Sequence, residues 1–469
     1  MRICLIVEGC YPYVAGGVSS WIQMLIKGMP DHEFVIFSIG AEEKDRGKYK
    51  YHIPENVKQI HEHFLDEFQK IKGNKDAKYK LTQYEKQQFI NLLSGYKVDW
   101  NCVFDMFKKY DNFNAVDFLS SMEFLEIIKD ICEEKYEETP FTETFWVIRS
   151  MLTPIIGILN SKVPEADIYH CVSTGYAGII GAKFKHHTKK PLIVTEHGIY
   201  TREREEEILK ADWVDTYFKE TWINFFKSLS IGGYEAGNIV TSLFSMAKMT
   251  QIELGADKSK CVTIPNGVNL QRFKDIAEIE LNRDEFVLGA IVRVVPIKDI
   301  QTLIYSFDIV KKRISNAKLY IIGPYDENPE YYQQCLDTVN QLGCEGIEFV
   351  GRVDIKEWMY KLDTVILTSV SEGQPFVLLE AMSAKRPVVA TDVGSCREII
   401  EGFGDDFGHC GFVVPVMNPN LIARSVVKLA EDRNLMRAMG DIGYKRAVKY
   451  YREDDFLDRY RRLYRSVSE

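Results

Sequence analysis

Glu372 and Glu380 stand eight positions apart in the run Ser371-Glu372-Gly373-Gln374-Pro375-Phe376-Val377-Leu378-Leu379-Glu380, and Arg293 precedes Lys298 by five. Glu380 is the only charge between Glu372 and Lys385, and it lies among Phe376, Val377, Leu378, Leu379, Ala381 and Met382. A carboxylate buried there without a partner would cost on the order of several kcal/mol, so a polar group must meet it. A vicinal diol such as that of a ribose offers two donors to one carboxylate, while Gly373 and the first amides of a following helix suit a phosphate or sugar oxygen. Arg293 brings a planar fork and Lys298 a point charge, which together can neutralise a leaving diphosphate without a metal ion. The plainer readings stay open at this point: a Glu380 that faces water, and two solvated cations in a loop.

Smaller signals accompany these four residues. In the loop Gly9-Cys10-Tyr11-Pro12-Tyr13-Val14-Ala15-Gly16-Gly17, the glycine pair Gly16-Gly17 lets backbone amides approach an anion, although a tight turn would use the same pair. His197 in Thr195-Glu196-His197-Gly198 ends a predicted strand, where a lone histidine is also a common structural residue. Pro265-Asn266-Gly267-Val268 reads as a turn after a strand, and the glycines of 175–181 read as helix-packing positions.

The elements that must position these groups alternate in type. In the second half, strand signals at 286–294, 317–323, 347–350, 364–368, 387–390 and 411–414 alternate with helical ones at 299–312, 329–342 and 418–431, which is the grammar of a parallel doubly wound sheet. Arg293 and Lys298 then sit at the C-terminal end of one strand, where such sheets bind phosphates, and Pro375 suits the first turn of a helix that carries Glu380 in its second. The N-terminal half repeats the pattern with strands at 3–7, 33–39, 167–172, 191–195, 238–241 and 261–264. Roughly 41–162 departs from it, being charged, aromatic and helically spaced at Phe104, Phe107, Phe118 and Phe124, and is expected to be a helical insertion with its own small core. A final helix is expected over 450–464.

Composition narrows the classes. A length of 469 residues argues for two or three domains, and a formal charge of -9 argues against a nucleic-acid partner. The start Met1-Arg2-Ile3-Cys4-Leu5-Ile6-Val7 reads as a first strand, and no apolar run approaches the ~20 residues of a membrane span. Ten scattered cysteines without Cys-x-x-Cys or zinc-spaced histidines suit free thiols in a reducing compartment, with neither a metal site nor disulfides.

Together these residues resemble the GT-B glycosyltransferases of family 4, whose signatures are an Arg-x4-Lys pair and a Glu-x7-Glu pair in the C-terminal domain; Arg293 to Lys298 and Glu372 to Glu380 match both spacings. The similarity spans nearly the whole chain apart from the insertion. A narrower resemblance, to the Pel exopolysaccharide glycosyltransferases, rests on Glu8-Gly9, Gly16-Gly17-Val18-Ser19-Ser20-Trp21, Ser173-Thr174-Gly175-Tyr176-Ala177-Gly178 and the long insertion. What the resemblance implies is an α/β GT-B fold: Rossmann-like domains over 1–275 and 276–445 facing a central crevice, an insertion at about 41–162, and a C-terminal helix, 446–469, crossing back to the first domain.

The implied activity is transfer of a hexose, with UDP-glucose the first donor to test, to a growing polysaccharide with retention of configuration, without cofactor or metal. Arg293 and Lys298 would hold the diphosphate, Glu380 the ribose diol, Glu372 the donor-sugar hydroxyls, and His197 the sugar from the N-terminal domain. The backbone of the run Gly373, Gln374, Pro375, Phe376 and Val377 and the Gly17 amide would complete the donor cradle, with Arg352 and Val353 bordering the base and Gly16 and Asn266 counted among the binding residues. Gln374 stands where relatives commonly carry a bulky apolar residue, and Gly323-Pro324 lacks a usual second glycine. The expected setting is cytoplasmic, at the inner membrane face through membrane-embedded synthase subunits. A nucleotide-sugar epimerase or hydrolase, and a non-catalytic UDP-binding subunit, are the competing expectations.

Overall fold

The computed structural model describes residues 1–70, 73, 78–110, 113–276 and 283–469. It divides into two units, one formed by Met1–Thr263 with Arg461–Glu469 and the other by Ile264–Tyr460.

In the first unit the strands are β1 (Arg2–Glu8), β2 (Glu33–Gly40), β3 (Val57–Phe64), β4 (Ile168–Cys171), β5 (Leu192–Glu196), β6 (Ile239–Ser242) and β7 (Cys261–Thr263). They pair in parallel in the order β3-β2-β1-β4-β5-β6-β7. Continuous apolar runs such as Ile3, Cys4, Leu5, Ile6 and Val7, all at 0% exposure, form these strands because helices cover both faces of the sheet. The strand order reverses between β1 and β4, so the loops after those two strands diverge around one gap at the C-terminal edge.

The segment 41–162 contributes helices at Gln83–Ser94, Trp100–Lys109, Ala115–Phe118, Met122–Lys135 and Phe141–Leu159, as its spacing predicts. Two expectations for it change. It also supplies β3, a strand that pairs with β2 along one edge and is half-exposed along most of its length, so Lys58 and Gln59 face water while Glu62 accepts from the Tyr13 hydroxyl and the Gly47 N–H, and these polar residues mask the apolar signal. Its aromatics do not form a separate core either: Phe104, Phe107, Phe118 and Phe124 belong to one buried cluster with Cys4, Ile6 and Phe37 of the sheet.

The second unit carries β8 (Phe286–Ile291), β9 (Ala317–Ile322), β10 (Ile347–Gly351), β11 (Thr364–Leu367), β12 (Val388–Thr391) and β13 (Gly411–Val414), parallel throughout in the order β10-β9-β8-β11-β12-β13. Here the order reverses between β8 and β11. The terminal helical region is two helices, Arg433–Tyr450 and Glu453–Ser468, because Val268 pairs with the backbone at Tyr451 and Glu453 and breaks the ladder there. Within the first unit, Tyr464 is fully buried and its hydroxyl lies 2.7 Å from His170 Nδ1, while Arg461 donates to the Gly28 carbonyl at 2.5 Å. Thr195 Oγ1 lies 2.7 Å from the other ring nitrogen of His170, and burial pushes that imidazole down to about 3.

Candidate active site

The reversal between β8 and β11 decides what meets in the second unit. The chain leaving β8 turns through Arg293 and the short Pro296–Lys298 helix, and the chain leaving β11 turns through Ser369 to Pro375. Because the two strands are neighbours, these turns lie side by side, pinned by Val370 N–H to the Ile297 carbonyl at 2.9 Å and by the Thr368 hydroxyl to the Lys298 and Asp299 carbonyls at 3.0 and 3.1 Å. The result brings Lys298 Nζ to 2.5 Å from Glu372 Oε1, an oxygen that also accepts from the Ser369 hydroxyl at 2.5 Å. Both side chains are largely sheltered, at 17% and 11% exposure, so the pair is stronger than a surface bridge.

Arg293 does not join that pair. It donates to Glu327 Oε2 at 2.7 Å, and Arg352 lies 3.9 Å from the other Glu327 oxygen, so one carboxylate in the loop after β9 faces two guanidinium groups. Arg352 and Val353 are both exposed, in the turn between β10 and the helix Ile355–Met359 that Asp354 caps.

Glu380 lies in the second turn of the helix Phe376–Ser383, which begins one residue after Pro375 rather than at it. Leu378 and Leu379 are buried, whereas Phe376, Val377 and Glu380 share the half-exposed face, so the carboxylate opens to one side of an otherwise apolar helix. Arg272 approaches Glu380 at 3.5 Å and Asp354 at 2.8 Å. Burial pushes the Glu380 carboxyl up to about 7, with Arg272 pulling it back and Asp354 adding to the rise.

Gln374 and Asn266 engage each other. The Asn266 N–H donates to Gln374 Oε1 at 2.5 Å and its amide Nδ2 to the Gln374 carbonyl at 3.1 Å, both residues being buried. They brace the 371–375 loop against the Pro265-Asn266-Gly267 turn, leaving Asn266 Oδ1 and Gln374 Nε2 as buried polar atoms without a hydrogen-bond partner. Gly373 is held from the other side: its carbonyl accepts from Ser395 N–H at 2.9 Å, and Gly394 has φ +53° with its Cα facing the 372–373 backbone. A Cβ on Gly394 would fall 2.2 Å from the Glu372 carbonyl. Gly394→Ala is therefore expected to cost about 2 kcal/mol or more, from left-handed strain and the clash together. Chemical denaturation checks this, and wild-type stability would show that the loop has slack.

The remaining predicted residues belong to the first unit. Gly16 precedes the helix Gly17–Lys27 in extended conformation, and its N–H donates to the Tyr51 hydroxyl at 3.3 Å; no acidic residue lies in that helix's first turn, leaving its positive end uncompensated. His197 follows β5, with its ring edge-on to Trp21 at 4.8 Å. Burial pushes it down to about 3, and its Nε2 is a buried nitrogen without a hydrogen-bond partner. Beside it, Glu196 accepts from Thr174, Tyr200, Tyr234 and Gln251, which fixes the strand end that presents His197.

Sequence reasoning missed Arg272, Glu327, Ser369 and Gly394. Arg272 follows a segment that reads only as a turn. Gly394 had a usable signal, since Asp392-Val393-Gly394-Ser395 joins an apolar strand to a helix in the same way as the 371–375 loop. Among the described residues no group of three or more His, Cys, Asp or Glu is placed to hold a metal ion, and no helix is long and apolar enough to cross a membrane.

Comparison with known proteins adds three findings. A family described as a domain of unknown function, DUF3492, matches residues 1–259, and one described as glycosyl transferases group 1 matches residues 285–432. The chain is 30% identical to the uncharacterized glycosyltransferase MJ1607 of Methanocaldococcus jannaschii, over 59% of this chain and 69% of that protein, and 27% identical to the capsular polysaccharide biosynthesis glycosyltransferase CapM of Staphylococcus aureus, over 62% and 71%. Its fold matches Anabaena HepE, solved in complex with UDP, with a TM-score of 0.62 at 14% identity over 99% of this chain and 100% of that one.

Proposed function

Because the chain belongs to the group 1 glycosyltransferases, with a DUF3492 domain as its N-terminal half, we propose that it transfers a hexose from a UDP-sugar to a growing exopolysaccharide, with retention of anomeric configuration. The observation that carries this reading is the sheltered Lys298–Glu372 pair at the point where the second sheet reverses its order. A diphosphate brought to Lys298 competes with Glu372 for the ammonium, and Arg293 adds a second cation at the same strand end. Glu372 is then available to accept hydroxyls of the sugar. Glu380 takes the ribose diol, and the first amides of Phe376–Ser383 meet donor oxygens. Departure of the diphosphate leaves an oxocarbenium-like sugar, and the leaving phosphate oxygen takes the acceptor proton on the same face, so retention requires no further carboxylate.

UDP-binding in HepE and the polysaccharide role in CapM's name support the donor and acceptor classes; glucose and a Pel-type acceptor are the first choices to test. The polymer is handed to membrane-embedded synthase subunits from the cytoplasmic side. Isothermal calorimetry with UDP and UDP-glucose tests the reading: micromolar uptake is expected, and none at all would overturn it.

A pH dependence follows from Glu380. Its carboxyl, raised to about 7, is mostly protonated at pH 6 and mostly ionised at pH 8, and only the ionised form accepts from both ribose hydroxyls. The ionised fraction changes about tenfold over that range, so UDP affinity is expected to rise by about that factor and to level off above it. In Glu380→Gln the slope should vanish together with most of the affinity; a variant that keeps the slope would assign it to another group.

A further inference from the structure

We infer that the first unit carries a second, non-catalytic site, a cleft that binds a neutral oligosaccharide. The cleft, of about 940 Å³, lies between the insertion helices Gln83–Ser94 and Trp100–Lys109 on one side and the C-terminal halves of Gly175–Thr188 and Thr216–Ala236 on the other. Those last two helices lead into β5 and β6, so their C-terminal ends, at Lys185, Lys189 and Glu235, mark the N-terminal edge of the sheet. Gly16, Gly17 and His197 are at the opposite, C-terminal edge. The 14-residue helix Gly175–Thr188 alone puts about 21 Å between the two edges, so the cleft cannot share a ligand's reacting end with them.

Three observations identify the ligand class. Tyr84 is 58% exposed, yet its ring is fixed, because its hydroxyl donates to one oxygen of Asp99 at 3.0 Å while the other Asp99 oxygen caps Trp100–Lys109 through Asn101 and Cys102 N–H. A pre-ordered aromatic face beside water is a stacking surface for the apolar face of a sugar ring, and it binds at little entropic cost. The charges at the cleft balance in number: Lys97, Lys185 and Lys189 stand against Asp99 and Glu235 of the lining and Asp105 beside it, with Lys97 paired to Glu235 at 2.9 Å, His186 to Asp105 at 2.7 Å, and Lys185 donating to the Ala236 carbonyl at 2.6 Å. That balance weakens the drive to bind an anion and favours a polar, uncharged partner. Finally, the exposed Asn101 side chain, which has no hydrogen-bond partner among the described residues, lies within the same wall as Tyr84 and Gln87, giving planar donors and acceptors for hydroxyls.

The inference leans on the transferase reading only for the natural occupant, a stretch of product already made, held so that the chain is not lost between additions. The binding test omits nucleotide for that reason. The full-length protein is titrated with cello-, malto- and chito-oligosaccharides by saturation-transfer NMR and calorimetry, in wild type, Tyr84→Ala, Tyr84→Phe and Asn101→Ala. Millimolar binding of at least one series is expected, weakened about tenfold in Tyr84→Ala and much less in Tyr84→Phe, with UDP uptake unchanged in all variants. No binding of any series to the wild type, or equal binding by Tyr84→Ala with its thermal melt intact, would overturn the site. Saccharide binding without UDP uptake would leave this site standing while removing the donor reading.

Discussion

Lys298→Ala is expected to lower donor turnover by about a hundredfold to a thousandfold while the protein stays folded. The ammonium is the cation closest to Glu372 and the one held most firmly, because the Ile297–Val370 and Lys298–Thr368 backbone contacts fix its origin. A group placed without freedom of its own stabilises developing charge at no cost of reorganisation, which is why its loss falls on the rate rather than on the fold. The stability cost should be modest. Glu372 keeps the Ser369 hydroxyl and remains in partial contact with water, so its desolvation is not that of a sealed charge. Single-turnover kinetics with UDP-glucose, next to a thermal melt, check both halves. Wild-type turnover in a folded variant would end the assignment of Lys298 to the diphosphate.

Arg446→Ala is expected to destabilise the second unit by about 3–5 kcal/mol, a fall in melting temperature on the order of 10 °C. Arg446 and Asp405 are each 1% exposed and joined through two contacts at 2.9 and 2.8 Å. The same guanidinium donates to the carbonyls of Ile400 at 2.8 Å and Gly408 at 2.6 Å, tying the loop before β13 to the helix Arg433–Tyr450. Its removal strands a carboxylate and several carbonyls away from water at once. The hydrogen bond from Arg446 holds the Asp405 carboxyl below its usual range, so this contribution is present above the ordinary Asp value near 4 and disappears only as pH falls below it. Denaturation curves at pH 7 and pH 3 should therefore separate wild type from Arg446→Ala more widely at the first than at the second, the bonds to the Ile400 and Gly408 carbonyls keeping part of the difference at both. Equal separation at both would point to lost packing instead of lost charge pairing.

The parts of this molecule that were legible beforehand are those specified by strong local physics. The buried strands are continuous apolar runs, and the residues Arg293, Lys298, Glu372 and Glu380 follow strand signals at fixed spacing. What stayed hidden depended on neighbours that are remote in sequence. β3 reads as polar because an edge strand has water on one side, and the merging of the insertion with the sheet core depends on contacts that no periodicity records. Asn266 and Gln374 are polar residues whose spacing says nothing of each other, yet 108 positions apart they brace the same loop. Arg293 and Lys298 reverse the lesson: five positions apart, they face different carboxylates, Glu327 and Glu372.

Residues 461–469 follow the second unit in the chain but belong to the first. During synthesis on the ribosome, His170 emerges long before Tyr464, the residue whose hydroxyl occupies its Nδ1. The nascent first unit must therefore wait, with an unfilled aromatic socket and one nitrogen of His170 lacking its Tyr464 contact, until nearly 200 residues of the second have been made. A chaperone that guards the amino-terminal half through that interval would be protecting an incomplete core, and a released chain ending at residue 460 should leave that half far more open to protease than the released chain that carries residues 461–469.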